Sequence, residues 1–156
     1  MSSVVEALDR LGIVLPDPMP VKGTYRKVIV HGDTAYVSGT LATASDPPRV
    51  LHAGAVGVDL TLEEGRESAR AALLGILASL GEELGDLDRV ERFLHIGGFV
   101  RAAPGFTKVN HVLGGASDLI GELFGPHGFA ARTAVGVSEL PDDASVVVDA
   151  VVALRS

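Results

Sequence analysis

The chain has 156 residues, no cysteine and a formal net charge of −7, and 47% of its residues are hydrophobic but only 4% aromatic. The lack of cysteine excludes disulfide scaffolds, thiolate metal sites and thiol nucleophiles. The acidic balance opposes binding to a phosphate backbone, so we expect no nucleic-acid partner. A chain of this length fits one hydrophobic core, and the excess of aliphatic side chains favours self-association.

The N-terminal segment gives no indication of export or membrane insertion. Its sequence SSVVEALDRLGI contains acidic residues and lacks the long apolar run of a secretory signal. No later stretch approaches the roughly 20 uninterrupted apolar residues that a transmembrane helix needs. We therefore expect a cytoplasmic protein without a membrane partner.

The first residues predict a short helix followed by a stiff connector. Ser3 and Glu6 have the spacing of a capping box, with apolar residues at helical intervals behind them. Three alternate prolines follow, which exclude regular helix or a central strand. We therefore divide the chain into an N-terminal helix and Pro-rich connector, residues 1–20, and a compact domain, residues 21–156.

A β-hairpin is predicted between Tyr25 and Leu41. The β-rich runs YRKVIV and TAYVSGTL flank Gly32, which can adopt the positive φ of a tight turn. Residues 42–54 are rich in Ala, Ser, Asp and Pro and predict a surface loop. The run AVGVDL from Ala55 predicts a third short strand.

Two helices and three further strands are predicted in the rest of the chain. Thr61 and Glu64 have capping-box spacing before a long run of apolar residues at helical intervals, and Gly81 and Gly85 are candidate stops. The β-prone run VERFLHIGGFV predicts the fourth strand, whose glycine pair indicates a bulge or a close backbone approach. The second helix contains Gly114-Gly115, which predicts a kink or a break.

The last two strands are predicted from ARTAVGVSEL and ASVVVDAVVAL, which flank a Pro-Asp-Asp turn and run antiparallel. The predicted order is therefore β-β-β-α-β-α-β-β, an α+β fold with a mixed sheet and two helices packed on one face. Because the last strand is apolar on both sides, the other face of the sheet needs cover. We therefore expect oligomerisation to cover this face.

One arginine stands out as a candidate binding residue. The five histidines lack zinc-site spacing, and the sequence has no G-x-S-x-G elbow, Walker loop or dinucleotide fingerprint, so we expect neither metal nor cofactor. Arg132 opens an apolar strand directly after a glycine-rich loop. It is either a strand-end residue with its head in water or a guanidinium that binds a carboxylate through two parallel hydrogen bonds, which lysine cannot reproduce.

Three blocks, TYRKVIVHGDTAYVSGTLA, FTKVNHV and ARTAVGVSELP, carry a resemblance to a known family. In this order and spacing they resemble the signature blocks of the YjgF/RidA-like family, also labelled UK114 or L-PSP endoribonuclease-like. The resemblance extends from Val21 to Leu154. The stretches GVDLTLEEGRESAR, GDLDRVERF and GASDLIGELFG resemble a bacterial branch that differs from the imine-deaminase branch.

The resemblance implies a chorismate-mutase-like fold and a homotrimer with a ligand cleft between neighbouring subunits. In deaminase members the arginine holds the carboxylate of a 2-imino or 2-enamino acid while water attacks the C=N carbon and ammonia leaves. Arg132 matches that catalytic arginine, and Gly128 and Phe129 would form the rim of the pocket. The matched substrate-binding residues are Tyr25, Ser38, Gly39, Asn110, Arg132 and Ala134.

One position departs from the deaminase pattern. Fifteen residues after the arginine, where deaminase members have a water-activating glutamate, this chain has Val147. Asp149 lies two residues further, on the same strand face, but matches a separate acidic position. The alternatives are therefore a hydrolase acting on C=N bonds and a non-catalytic ligand-binding or regulatory trimer. Endoribonuclease activity ranks below both, because the chain lacks an aromatic and basic surface.

Alternative structural roles remain for three of the matched side chains. A serine in a strand bonds the backbone more often than a ligand, so Ser38 has this structural alternative, and the alternative for Tyr25 is packing. Asn110 on a helix is by default exposed to solvent or bonded locally.

Overall fold

A β-hairpin forms one end of the sheet. The structure is a computed structural model that describes residues 3–45 and 47–156. Strands β1 (Val28–His31) and β2 (Thr34–Leu41) pair antiparallel, and Gly32 between them has φ +61°. The predicted hairpin is confirmed.

Three further strands complete a five-stranded mixed sheet: β5 (Val90–Arg101), β6 (Ala131–Val137) and β7 (Val146–Leu154). The order across the sheet is β1-β2-β7-β5-β6, and only the β5–β6 pair is parallel. The last two strands are therefore not neighbours, although the sequence suggests a direct pair around the Pro-Asp-Asp turn. Strand β5 lies between them, because a helical crossover already joins it in parallel to β6.

Two long helices cover one face of this sheet. Helix α2 (Leu62–Leu84) begins at Thr61, whose hydroxyl accepts a hydrogen bond from the Glu64 amide, and ends at Gly85 in the left-handed conformation. Helix α3 (Val109–Phe124) is the crossover between β5 and β6. Alternate residues of β7, from Val146 to Leu154, are buried beneath the helices. The predicted α+β architecture with both helices on one face is confirmed.

The glycine pair in α3 does not break the helix, which is continuous from Val109 to Phe124. A Cβ on Gly115 would lie 2.1 Å from the backbone oxygen of Arg66 in α2, so this glycine permits close packing of the two helices. Two arginines of α2 bridge the helices at the surface, where Arg66 pairs with Asp118 and Arg70 with Glu122. No helix within residues 3–45 and 47–156 has the length and hydropathy needed to cross a membrane.

The region between β2 and α2 differs from the prediction. Residues predicted as a plain loop contain a small two-stranded sheet, β3 (Thr43–Ser45) and β4 (Pro48–Val50). The predicted third strand, AVGVDL, is a turn with only isolated bridges. Gly57 has φ +102° there, and the Asp59 carboxylate accepts a hydrogen bond from the Ala55 amide at 2.9 Å, which stabilises a turn over an extended strand.

Helix α1 (Val4–Leu11) forms at the predicted place. Ser3 and Glu6 make a reciprocal capping box, and Gly12 ends the helix in the left-handed conformation. Val4, Ala7 and Leu8 of α1 are buried in the same core as the sheet and the long helices. The division of the chain at residue 20 stays a prediction.

The other face of the sheet carries no helix among the described residues, and we call it the open face. Ile29, Tyr36 and Val151 lie side by side on it across three neighbouring strands. Ile29 is 48% exposed and Tyr36 is 52% exposed. The open face is therefore an apolar surface, as predicted from the two-sided hydrophobicity of β7.

Candidate functional site

A cleft of about 780 Å³ lies beside β2, and we call it the β2 cleft. Three of the predicted site residues, Tyr25, Ser38 and Gly39, line it. The Pro-rich connector, the β3–β4 hairpin and the turn at residues 140–142 also contribute to its walls. The segments predicted from the sequence as a connector and a surface loop therefore form walls of this cleft.

The floor of the β2 cleft is an irregularity in β2 at Ser38-Gly39, where the register with β7 shifts. The Ser38 hydroxyl donates to the backbone oxygen of Arg26 at 2.6 Å, so its proton is held by the backbone and only its lone pairs remain for a ligand. A Cβ on Gly39 would lie 3.0 Å from Val147 Cγ1. Glycine at this position keeps the backbone accessible from the cleft.

The other predicted residues lie together at the opposite end of the sheet. Arg132 in β6 is level with Ile96 of β5, so its side chain points to the helix side, where its guanidinium donates to Ser117 Oγ in α3 at 3.1 Å. Ala134 faces the same side two residues later. Asn110 precedes Ser117 by two helical turns and so shares its helix face. We call this group the Arg132 edge.

Ser117 is the one member of the Arg132 edge that the sequence did not single out. It is half-buried and orients the arginine by a direct hydrogen bond. The seven-residue separation from Asn110 is the signal that identifies it, because residues two turns apart project from the same face of a helix.

The β2 cleft and the Arg132 edge do not meet within one chain. Strand β6 is the outermost strand at one end of the sheet, and β2 is separated from it by β7 and β5. At the usual strand spacing, the two strands are about 14 Å apart. A small acid cannot contact Arg132 and Ser38 of the same chain, so the two groups can share a ligand only between copies.

The two positions near the end of the chain have different surroundings. Val147 lines the β2 cleft, so no carboxylate projects from that position. Asp149 does not line the cleft, and its Oδ1 accepts a hydrogen bond from the Gly97 amide at 3.0 Å. A Cβ on Gly97 would come within 2.3 Å of this oxygen. The group that closely approaches the glycine pair of β5 at Gly97 is therefore the Asp149 side chain.

The predicted rim residues lie at the C-terminal end of α3. Gly128 is buried, and a Cβ there would lie 2.3 Å from Phe124 Cβ. Phe129 is 52% exposed and its ring contacts Gly121. Only Phe129 therefore presents a side chain to a ligand or to a neighbouring chain.

The charged side chains at the β2 cleft are of both signs. Lys27 is paired with Glu82. Lys22, Arg49, Asp17 and Asp142 are the other charged residues of the lining. Within the described part of the chain, no group of three or more His, Asp or Glu side chains is arranged to hold a metal ion.

Three comparisons relate this chain to known proteins. Residues 5–153 match the family described as "YjgF/chorismate_mutase-like, putative endoribonuclease". Protein TCP17 of Trypanosoma cruzi is 41% identical over 154 residues, covering 98% of this chain and 95% of that protein. The crystal structure of Atu1372 from Agrobacterium tumefaciens, a protein of unknown function, is 34% identical with a TM-score of 0.87, covering 97% of this chain and 92% of that one.

A more distant solved structure carries a ligand. E. coli TdcF, crystallised with bound serine, is 19% identical with a TM-score of 0.58, covering 90% of this chain and 94% of that one. At this identity the similarity establishes the shared fold alone.

Proposed function

The chain belongs to the YjgF/chorismate-mutase-like family, and from this membership we propose that it forms a homotrimer that binds small 2-keto, 2-imino or 2-enamino acids between neighbouring copies. We call the β2 cleft and the Arg132 edge the two half-sites. The observation that carries the proposal is their position at opposite ends of one sheet. A ring of three copies would bring the Arg132 edge of each chain to the β2 cleft of the next. The serine bound to TdcF is a small acid of the required size.

Arg132 is the proposed anchor for the ligand carboxylate. Its side chain is exposed, and one of its N–H groups is held by Ser117. A guanidinium has five N–H donors, so a pair of them remains for two parallel bonds to a carboxylate. The hydrogen bond to Ser117 already restricts the Arg132 side chain before a ligand binds. Less conformational entropy is therefore lost on binding, which favours affinity.

The β2 cleft would receive the rest of the ligand. Tyr25, the Gly39 backbone and the Ser38 oxygen contribute polar groups there. In the proposed reaction, water attacks the C=N carbon of a 2-imino acid, and ammonia leaves to give a 2-keto acid. Arg132 then acts by fixing the carboxylate next to the reacting carbon, so that the attack occurs in a positioned complex.

A non-catalytic binding trimer is the second candidate function, and Val147 favours it. Hydrolysis of an imine is faster when a base accepts the proton of the attacking water. An apolar side chain at Val147 cannot do so. Ligand binding through Arg132 would be unaffected by this replacement.

Endoribonuclease activity, which the family description names, ranks third. The net charge of −7 opposes RNA binding, and the β2 cleft contains Asp17 and Asp142 beside its cations. RNA cleavage that persists in Arg132→Ala, or that fades on further purification, would indicate a contaminant or another site.

The first two functions are separated by one assay with matched arginine variants. A 2-imino acid such as 2-aminoacrylate is generated in situ, and keto-acid release is compared for wild type, Arg132→Ala, Arg10→Ala and buffer. Arg10 is an exposed arginine of α1 that neither lines the β2 cleft nor belongs to the Arg132 edge. We expect Arg132→Ala to lose about 100-fold in rate, as for loss of a charged bidentate contact, and Arg10→Ala to match wild type.

Binding is measured in parallel by calorimetric titration with the keto acid product. Binding that depends on Arg132 without any acceleration over buffer would leave the non-catalytic trimer. If neither binding nor rate depends on Arg132, the proposed site is wrong.

A further inference from the structure

The turn before β7 contains two consecutive residues in a conformation that side chains other than glycine rarely adopt. Asp142 and Asp143 both have φ +57°. Aspartate tolerates this region better than most residues, but the conformation is still strained. Such strain persists only where the surrounding structure enforces it, and it concentrates at functional sites.

The position of Asp143 has a structural explanation. Its carboxylate accepts a hydrogen bond from Arg101 at 3.2 Å, and its backbone oxygen accepts one from the Gly54 amide at 2.8 Å. Asp143 therefore attaches the turn to β5 and to the loop that precedes α2.

Asp142 has no such explanation. Among residues 3–45 and 47–156, its carboxylate takes part in no hydrogen bond or ion pair, and the residue is exposed where it lines the β2 cleft with Val147. Asp17 is the other carboxylate of that lining, on the wall formed by the Pro-rich connector, and its backbone is not among those with positive φ. The fold thus holds one unengaged carboxylate in a strained turn at the cleft that lacks a glutamate at Val147.

We propose that Asp142 is the general base of the imine hydrolysis and replaces the acid missing at Val147. This inference rests on the proposed function. The Asp142 carboxylate accepts a proton from water as the water oxygen bonds to the imine carbon, and the C=N π electrons move to nitrogen, which takes up a proton from solvent. Asp142 then returns its proton to the nitrogen as the C–N bond breaks. The remaining hydroxyl proton passes to solvent, which releases ammonia and leaves the C=O of the keto acid.

The test compares the two carboxylates of the same cleft by Asp142→Asn and Asp17→Asn. Asparagine keeps the shape of the side chain and tolerates positive φ but cannot accept the proton. We expect Asp142→Asn to lower kcat about 100-fold, within the usual contribution of a general base, and to leave the Kd of the keto acid within about twofold. Asp17→Asn should lower kcat by less than about tenfold, because Asp17 lines the cleft without acting as the base.

The pH profile gives a readout that a structural role would not change. The wild-type kcat should fall on the acid side as the base becomes protonated, and this limb should disappear in Asp142→Asn but persist in Asp17→Asn. The other titratable or charged groups that face the cleft are Tyr25, Lys22, Lys27 and Arg49. None of them changes in either variant.

Asp142→Gly controls for folding, because it removes the strain of the turn and should raise stability while lowering the rate as Asp142→Asn does. The inference alone is overturned if both Asp142 variants keep the wild-type kcat, or if Asp17→Asn loses as much. A wild type without acceleration over buffer overturns the hydrolysis and the role of Asp142 together, whereas loss of keto-acid binding in Asp142→Asn reassigns Asp142 to ligand binding.

Discussion

Val147 is a single apolar side chain at the point where the β2 cleft meets the last strand. It is level with Leu41 of β2 on one side and Phe99 of β5 on the other. Its Cγ1 also lies next to Gly39. A carboxylate installed here would reach the cleft from the floor, whereas Asp142 reaches it from the turn.

Removing the carboxylate at position 142 and introducing one at position 147 tests where in the cleft a general base can act. In the Asp142→Asn background, we expect Val147→Glu to raise kcat about tenfold, since a second carboxylate in the cleft can accept the proton of water. The apolar neighbours of Val147 disfavour the charged form, so the rate should rise with pH in this double variant. Val147→Gln in the same background is the matched control, and an equal gain with glutamine would contradict the explanation.

The sequence alone identifies candidate site residues better than it identifies the residues that they contact. The motif blocks point to Ser38 and Arg132, and the structure places these two at different half-sites. The sequence signals for Ser117 and Asp142 are weaker: Ser117 has only its spacing from Asn110, and Asp142 only its place in a Pro-Asp-Asp turn. Their roles depend on a contact between α3 and β6 and on the conformation of one turn, which local sequence patterns do not specify.

At the scale of elements, helices α2 and α3 pack closely where Gly115 lies against the backbone of Arg66. Gly115 is buried at this crossing, where the Arg66 backbone occupies the position of a side chain. The adjacent Gly114 is half-buried and faces the Arg66 guanidinium, the mobile end of a long side chain. The two glycines therefore differ in what an added methyl group would meet.

A matched pair of substitutions tests this difference. We expect Gly115→Ala to lower the free energy of unfolding by about 3 kcal/mol, because a backbone oxygen 2.1 Å away cannot yield without separating the helices. Gly114→Ala should change it by less than about 1 kcal/mol, since a gain in helix propensity offsets the displaced guanidinium. Urea denaturation measures both, and equal losses would refute the packing argument.

The elements themselves were predictable where their signals are local. The caps at Ser3 and Thr61 mark the starts of α1 and α2, and Gly85 marks the end of α2. Strand pairing is not local, so the separation of β6 from β7 by β5 was missed. The β3–β4 hairpin was missed for a related reason, because its strands have only three residues each and lack a hydrophobic pattern.

At the scale of the whole molecule, a single chain has both an uncovered sheet face and two separate half-sites. The open face exposes apolar side chains such as Ile29 and Tyr36, and each half-site lacks the groups of the other. Association into a closed ring would cover the first and complete the second with the same contacts. The proposed trimer therefore links stability to ligand binding, since a separated chain would have neither a covered sheet nor a whole site.

Mixing two defective chains tests whether each site is shared between copies. Arg132→Ala removes the anchor, and Gly39→Leu fills the floor of the β2 cleft. Differently tagged copies of the two variants are co-expressed, and keto-acid binding sites are counted by calorimetry in assemblies that carry both tags. Every trimer that carries both tags has two chains of one kind and one of the other, so one of its three interfaces joins an intact Arg132 to an intact cleft. Binding should therefore return to about one third of the sites, although each variant alone binds none. Binding that stays absent in the mixture would mean that both residues act within one chain, which the distance between β2 and β6 argues against.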